Sequence, residues 1–360
     1  MKVNKTILIT ILFLSVMSSQ SYAQTTTKSG TKNGLGPNDF PELINANIPG
    51  APKLGKPQLI MGDSIPIRGE GKGWAAPAVY DWDGDEKKDL LIGEFRSGYK
   101  YGLNTGHFVR VYQNKGTEDA PEFNDDFFYA NGINDLREST GTPLSIYTWC
   151  CFPFTPRFTD LDADGFTDLL TGQYNPGYIT WFRGSQDGFL PGITLEEDYD
   201  ALIASKQNNQ SLPITDPKGM KYWNYSSVDF GDFDNDGDQD MIVGGGALRI
   251  CENIGTKSTP KFGKRELLLD TQGQALEGGS LAVPYVVDWD GDGVLDILMT
   301  DSFRARRSAA VIFFRGLKSK KEELCFEAGI PLFSTKNDKK EFPGSWLNVC
   351  VTDWNNDGVN

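Results

Sequence analysis

The sequence predicts an all-β chain built from repeats. Three observations point there. An aspartate pattern, D-x-D-x-D-x-x-x-D, recurs along the chain. Each copy runs straight into a short apolar segment of strand character. Forty glycines accompany few long apolar periodic runs, which disfavours helices.

The copies are Asp81, Asp83, Asp85, Asp89; Asp160, Asp162, Asp164, Asp168; Asp232, Asp234, Asp236, Asp240; and Asp288, Asp290, Asp292, Asp296. A fifth begins at Asp353, Asn355 and Asp357, and the sequence stops at Asn360, one residue before the expected last ligand. Alternate side chains of a tight loop can converge on one point, where carboxylates repel one another. A hard cation makes such a cluster favourable, and oxygen-only ligands select calcium over zinc or copper.

An EF-hand loop also opens D-x-D-x-D-G, but it closes with an acid at position 12 and leads into a helix. Position 12 here is Ile92, Thr171, Val243 or Met299. The ninth aspartate is followed by Leu-Leu-Ile-Gly (90–93), Leu-Leu-Thr-Gly (169–172), Met-Ile-Val-Gly (241–244) or Ile-Leu-Met-Thr (297–300). Extended segments also precede the loops, at Ala75 to Tyr80, Pro156 to Thr159 and Ala282 to Val287. The unit is strand, cation loop, strand.

Over residues 57–360 this pattern resembles the FG-GAP/VCBS repeat family. The resemblance implies a β-propeller of four-stranded blades with Ca2+ loops between the first two strands of each blade, as in integrin α-subunit heads. At least five blades are begun, and the fifth is truncated. There are departures. Glu86 stands where glycine is usual, which predicts an altered turn, and the name-giving pairs are reduced to Phe230-Gly231.

Taken in order, residues 1–23 read as a signal peptide: Lys2 and Lys5, an apolar run from Thr6 to Met17, then Ser21-Tyr22-Ala23. Export to the periplasm or the extracellular space follows, with no membrane span after signal removal. Residues 24–40 read as a disordered tether and 41–360 as the propeller, with Pro41 to Arg68 a candidate for closing the ring. The turn Asn114-Lys115-Gly116-Thr117 before Pro121-Glu122-Phe123 recurs as Asn253-Ile254-Gly255-Thr256 before Pro260-Lys261-Phe262. Blades two and four share a different ending, Phe182-Arg183-Gly184 and Phe314-Arg315-Gly316. The first ligands are 79, 72, 56 and 65 residues apart, and the excess lies in 124–154 and 190–224, which includes a helical pattern at Leu195 to Ser205.

A net charge of −14 argues against nucleic acid, and four Ca2+ ions on the sixteen loop aspartates would reduce it to about −6. The cysteines, Cys150, Cys151, Cys251, Cys325 and Cys350, are odd in number, so at least one stays outside any internal disulfide. His107 is the only histidine, so neither a Ser-His-Asp arrangement nor a histidine zinc site is available. Acid pairs could support glycoside hydrolysis, but a carboxylate bound to calcium is held ionised and makes a poor general acid. No catalytic residue is assigned.

Aromatic residues recur near the start of the first strand in most units, with Leu281 in the fourth; Trp74, Trp149, Trp223 and Trp346 are the candidate ligand-binding residues. Flat aromatic faces suit stacking on sugar rings, and they equally suit packing between blades. Trp82, Trp289 and Trp354, at loop position 2, read as packing residues. The function expected is an exported, calcium-stabilised binding or scaffolding module, with a glycan or protein ligand on one propeller face and glycan favoured. Two alternatives stay open: the propeller part of a polysaccharide lyase or hydrolase, and an integrin-like protein-adhesion module.

Overall fold

The computed structural model describes residues 42–69, 75–95, 100–101, 104–134, 138–146, 152–174, 177–195, 226–277, 281–300, 311–318, 324–335 and 348–354. Among them every regular element is a β-strand. The expected helix beyond Leu195 and the signal segment lie outside the described residues, as do Cys150 and Cys151.

The strands form a β-propeller of four antiparallel blades. Blade two runs Arg157–Thr159, Asp168–Gly172, Ile179–Phe182, Ile193–Thr194. Blade three runs Ser227–Gly231, Asp240–Gly244, Arg249–Cys251, Glu266–Leu267. Blade four runs Val283–Val287, Asp296–Thr300, Val311–Phe314, Ile330–Pro331. Blade one begins with Ala75–Tyr80, Asp89–Glu94 and His107–Tyr112, and its third strand pairs with both Phe128–Tyr129 and Ser145–Ile146.

The register of the first hairpin is the same in all four blades. The ninth aspartate faces the residue just before the first one, as Tyr80↔Asp89, Thr159↔Asp168, Gly231↔Asp240 and Val287↔Asp296. Each aspartate loop therefore closes the hairpin between the two innermost strands. Apolar second strands are buried on both faces, as their unbroken hydrophobic runs require.

The closing glycine of those runs has a packing cause. A Cβ on Gly93 would lie 1.8 Å from the Phe154 carbonyl oxygen, on Gly172 1.9 Å from that of Ser226, and on Gly244 2.2 Å from that of Ala282. In each case the backbone leading into the next blade sits where a side chain would be.

The core lies in layers between blades. Leu91 and Val111 pack with Phe154, Leu169 and Phe182 between blades one and two. Leu170 and Trp181 meet Val228 and Met241 between blades two and three, and Ile242 meets Ala282 and Ile297 between blades three and four. The position-2 residues join these layers as the sequence predicts. Trp82, Leu161 and Phe233 fill the three interfaces in turn.

Residues 348–354 continue this order. Val349 and Val351 pack with Trp289 of blade four, while Trp354 packs with Ala75 and Leu90 of blade one. This segment occupies a fifth position between the last blade and the first. The N-terminal segment covers it: Leu43–Asn45 pairs with Phe333–Thr335, Leu54 joins the Val349 cluster, and Ile60 and Ile67 join that of Trp354.

Polar groups tie the innermost strands across blades. Arg157 Nη2 donates to the Pro284 carbonyl at 2.9 Å, and its Nε lies 3.5 Å from Asp229 Oδ1. Asp229 Oδ2 accepts from the Val286 amide at 2.6 Å, and the Tyr285 hydroxyl donates to the Val351 carbonyl at 2.7 Å. A buried ion pair contributes to stability only when its remaining hydrogen-bonding groups are engaged, as several are here.

Candidate cation-binding loops

Each loop is shaped by its own aspartates. The first carboxylate accepts amides from across the loop: Asp81 from Gly84, Asp85 and Glu86; Asp160 from Asp164 and Gly165; Asp232 from Gly237; Asp288 from Asp292 and Gly293. The fifth accepts the amide two residues on, at Lys87, Phe166, Asp238 and Val294. These are Asx-type turns, in which a side chain stands in for a backbone acceptor.

Positions 4 and 6 both take left-handed backbone. The φ angles are 73° at Gly84 and 67° at Glu86, 51° at Ala163 and 90° at Gly165, 64° at Asn235 and 92° at Gly237, and 72° at Gly291 and 79° at Gly293. Glu86 therefore adopts the same conformation as the glycines at its position, and the turn expected to be altered is conserved in shape. A side chain with Cβ is strained there by about 1–2 kcal/mol. Glu86→Gly should raise stability by about 1 kcal/mol, less whatever glycine adds to the unfolded chain's freedom. Urea denaturation measures this, and a lower midpoint would contradict it.

In three loops the carboxylates at positions 1, 3 and 5 converge: Asp81, Asp83 and Asp85; Asp160, Asp162 and Asp164; Asp232, Asp234 and Asp236 each offer oxygens within 4.8 Å of one another. In the fourth, Asp288, Asp290 and Asp296 do so. Several of these oxygens are buried without a hydrogen bond, namely Asp162 Oδ1, Asp232 Oδ1 and Asp290 Oδ1. Converging carboxylates with orphaned lone pairs are a donor set that a hard cation fits, and the four clusters can each hold a metal ion.

The ninth aspartate has a second task that the ligand pattern conceals. Its Oδ2 accepts the amide of position 2: Trp82 to Asp89 at 3.0 Å, Leu161 to Asp168 at 2.9 Å, Phe233 to Asp240 at 3.1 Å, Trp289 to Asp296 at 2.8 Å. Its Oδ1 accepts an amide just past the third strand: Asn114 at 2.7 Å, Gly184 at 2.7 Å, Asn253 at 2.9 Å, Gly316 at 2.8 Å. One carboxylate thus clamps the loop to the third strand in every blade.

This clamp unifies the two kinds of blade ending. Asn114 and Asn253 go on to organise the next turn, each Oδ1 accepting two amides, from Gly116 and Glu122 and from Gly255 and Lys261. Gly184 and Gly316 occupy the same place in the other two blades. There a Cβ would approach the Thr167 and Leu295 carbonyl oxygens to 2.2 and 2.1 Å.

Burial pushes the Asp168 and Asp240 carboxyls up to about 6 and that of Asp296 up to about 7, outweighing the amides that hold them ionised. Asp89 is raised for the same reason. Such a group binds its proton more tightly folded than unfolded. The stability it contributes is complete below the unfolded value of about 3.9 and is lost as pH rises through the folded one. With cations chelated, urea midpoints should therefore rise as pH falls from about 8 to about 5. Saturating calcium should suppress the trend by holding the carboxylates ionised. Equal pH slopes in both conditions would contradict this.

A family model described as FG-GAP-like repeat matches residues 160–243, from the first aspartate of loop two to position 12 of loop three. Residues 160–243 carry FG-GAP-like repeats, and the described strands form a β-propeller. Among solved structures this propeller is similar to an Agrocybe aegerita lectin, reported for its specific recognition of non-reducing terminal N-acetylglucosamine, at 16% identity and a TM-score of 0.37. That match covers 71% of this chain and 52% of the lectin, so the propeller spans about half the lectin's length. It is also similar to the Photorhabdus luminescens Tc holotoxin pore at 14% identity and a TM-score of 0.23, over 75% of this chain and 13% of that one.

Of the fifth loop's candidate ligands, Asp353 is described, and Asn355 and Asp357 lie outside the described residues. The four candidate ligand-binding tryptophans, Trp74, Trp149, Trp223 and Trp346, also lie outside them. His107 is fully buried and stacks on Phe95 with ring centroids 5.3 Å apart. Among the described residues no helix is long and apolar enough to cross a membrane.

Proposed function

We propose that this FG-GAP-like propeller is an exported binding module whose inner hairpins are held closed by calcium, and that its ligand is a glycan. The observation that carries the reading is the recurrence of one loop geometry at the same register in the described blades, with orphaned buried carboxylate oxygens in loops two, three and four. The residues that would hold the ions are Asp81, Asp83 and Asp85; Asp160, Asp162 and Asp164; Asp232, Asp234 and Asp236; and Asp288, Asp290 and Asp296. Bound calcium would neutralise the clustered charge and fix each hairpin.

The loops all lie where the first strand ends, so the first strands all begin at the opposite rim. Trp74 directly precedes Ala75 in the chain, and Trp346 precedes Asn348 by two residues. Aromatics at these places in the sequence would supply the stacking surface that a sugar ring needs. A glycan array probed in millimolar calcium tests the reading. Binding that the paired substitution Trp149→Ala and Trp223→Ala abolishes, with unchanged circular dichroism, supports it. An array without signal refutes the glycan assignment. New unsaturated or reducing ends released from a polysaccharide panel would favour the lyase or hydrolase instead, and calcium-dependent capture of a protein would favour adhesion.

A further inference from the structure

The four loops carry different internal countercharges, and the difference tracks one sequence position. The residue just before the clamped amide is Gln113 in blade one, Arg183 in blade two, Glu252 in blade three and Arg315 in blade four. Because the next amide is fixed to the ninth aspartate, this residue is held at the loop's edge in every blade.

In blades two and four the arginine reaches the carboxylates themselves. Arg183 Nη2 lies 2.5 Å from Asp162 Oδ2 and 3.6 Å from Asp164 Oδ2. Arg315 Nη2 lies 2.7 Å from Asp290 Oδ2 and 3.1 Å from Asp292 Oδ2. The other oxygens of the buried pair, Asp162 Oδ1 and Asp290 Oδ1, accept no hydrogen bond and stay available inside the cluster. Blade one has a neutral amide at this place, with Gln113 Nε2 donating to Asp83 at 2.5 Å, while Lys87 pairs with Asp85 at 2.7 Å.

Blade three is the opposite extreme. Among the described residues its loop aspartates have no paired lysine or arginine. Position 7 adds a fifth carboxylate, Asp238, whose buried Oδ1 is also without a hydrogen bond. Glu252, next in the chain to the clamped Asn253, adds another negative charge and is exposed.

We propose that this position sets cation affinity, dividing the loops into a tight class that includes loop three and a weak class formed by loops two and four. The proposal rests on the calcium reading above. In the weak class the guanidinium is a built-in counterion, and an arriving dication must displace it from shared oxygens. The arginine side chains are 43% and 27% exposed, so each has solvent to swing into. An ion pair with one partner open to solvent yields to a doubly charged ion more readily than a pair buried on both sides. The protein would then fill its loops in sequence as calcium rises, loop three before loops two and four.

Isothermal titration of the chelated full chain with calcium tests this. Wild type should show at least two affinity classes. Arg183→Gln with Arg315→Gln should tighten the weak class by about tenfold, the scale expected from removing a unit charge several ångströms from a dication in a water-like medium. Glu252→Arg, at an exposed site, should weaken the tight class by a similar factor and keeps the test open if the double variant misfolds. Affinities unchanged in both variants, with binding retained, overturn this proposal alone. Absence of binding in wild type and variants overturns the calcium reading and this proposal with it.

Discussion

Replacing Asp168 with alanine is expected to destabilise the propeller by about 3–5 kcal/mol, in EDTA as well as in calcium. Its two oxygens accept the Leu161 amide at 2.9 Å and the Gly184 amide at 2.7 Å, and the carboxylate is 1% exposed. Alanine leaves both amides without an acceptor, and a buried donor left unmade costs about 1–3 kcal/mol. Asp168→Asn retains one acceptor oxygen and should lose about half as much. Asp164→Ala is the informative control. That side chain is exposed, accepts the Phe166 amide and lies 3.6 Å from Arg183, so in EDTA its loss should be small. In calcium it should forfeit whatever stability the ion adds to loop two. Chemical denaturation of the three variants in both buffers separates clamp from ligand. A loss at Asp168 that appears only in calcium would show that the carboxylate acts through the ion alone.

Chelation is the second large effect. An ion bound only by the folded state adds stability by mass action. With dissociation constants of about 0.1–1 mM, as extracellular modules have, about 10 mM calcium adds roughly 1.4–2.7 kcal/mol per loop. Four loops together should give roughly 6–11 kcal/mol, and excess EDTA should lower the melting temperature by about 10–20 °C. Magnesium should replace calcium poorly, since it demands tighter octahedral geometry and gives up water reluctantly. Superimposable melting curves with and without EDTA would remove structural calcium from the account.

Much of this architecture is legible in the sequence because it is local. The aspartate spacing, the apolar run behind it and the glycine that ends the run together specify a hairpin and its register. The packing role of position 2 follows from alternation with the ligands, and Trp82, Leu161, Phe233 and Trp289 fill blade interfaces accordingly. The two kinds of blade ending are also visible as text, Phe-Arg-Gly against Asn-x-Gly-Thr.

What the sequence conceals is what the same atoms do at a distance. The ninth aspartate reads as a ligand, and nothing local reveals that its oxygens also reach amides 13 to 25 residues on. Arg183 and Arg315 stand 21 and 23 residues from the aspartates they approach, and only the sheet brings them together. The cover that 43–67 places over 348–354 is long-range apolar packing, anchored by strand pairing to 333–335, which no periodicity in these segments encodes. Glu86 shows the reverse case. Composition argues against its turn, but six surrounding hydrogen bonds and a fixed hairpin register impose the left-handed backbone on a residue that disfavours it.

The central claim is that the repeated aspartates enclose cations. Crystals grown in calcium and exchanged with terbium test it most directly, through anomalous scattering from the ions. The account predicts one peak inside each of the four described loops, about 2.3–2.6 Å from the carboxylates that converge there. Loops holding only water, with Arg183 and Arg315 still seated on their aspartates at saturating metal, would contradict it.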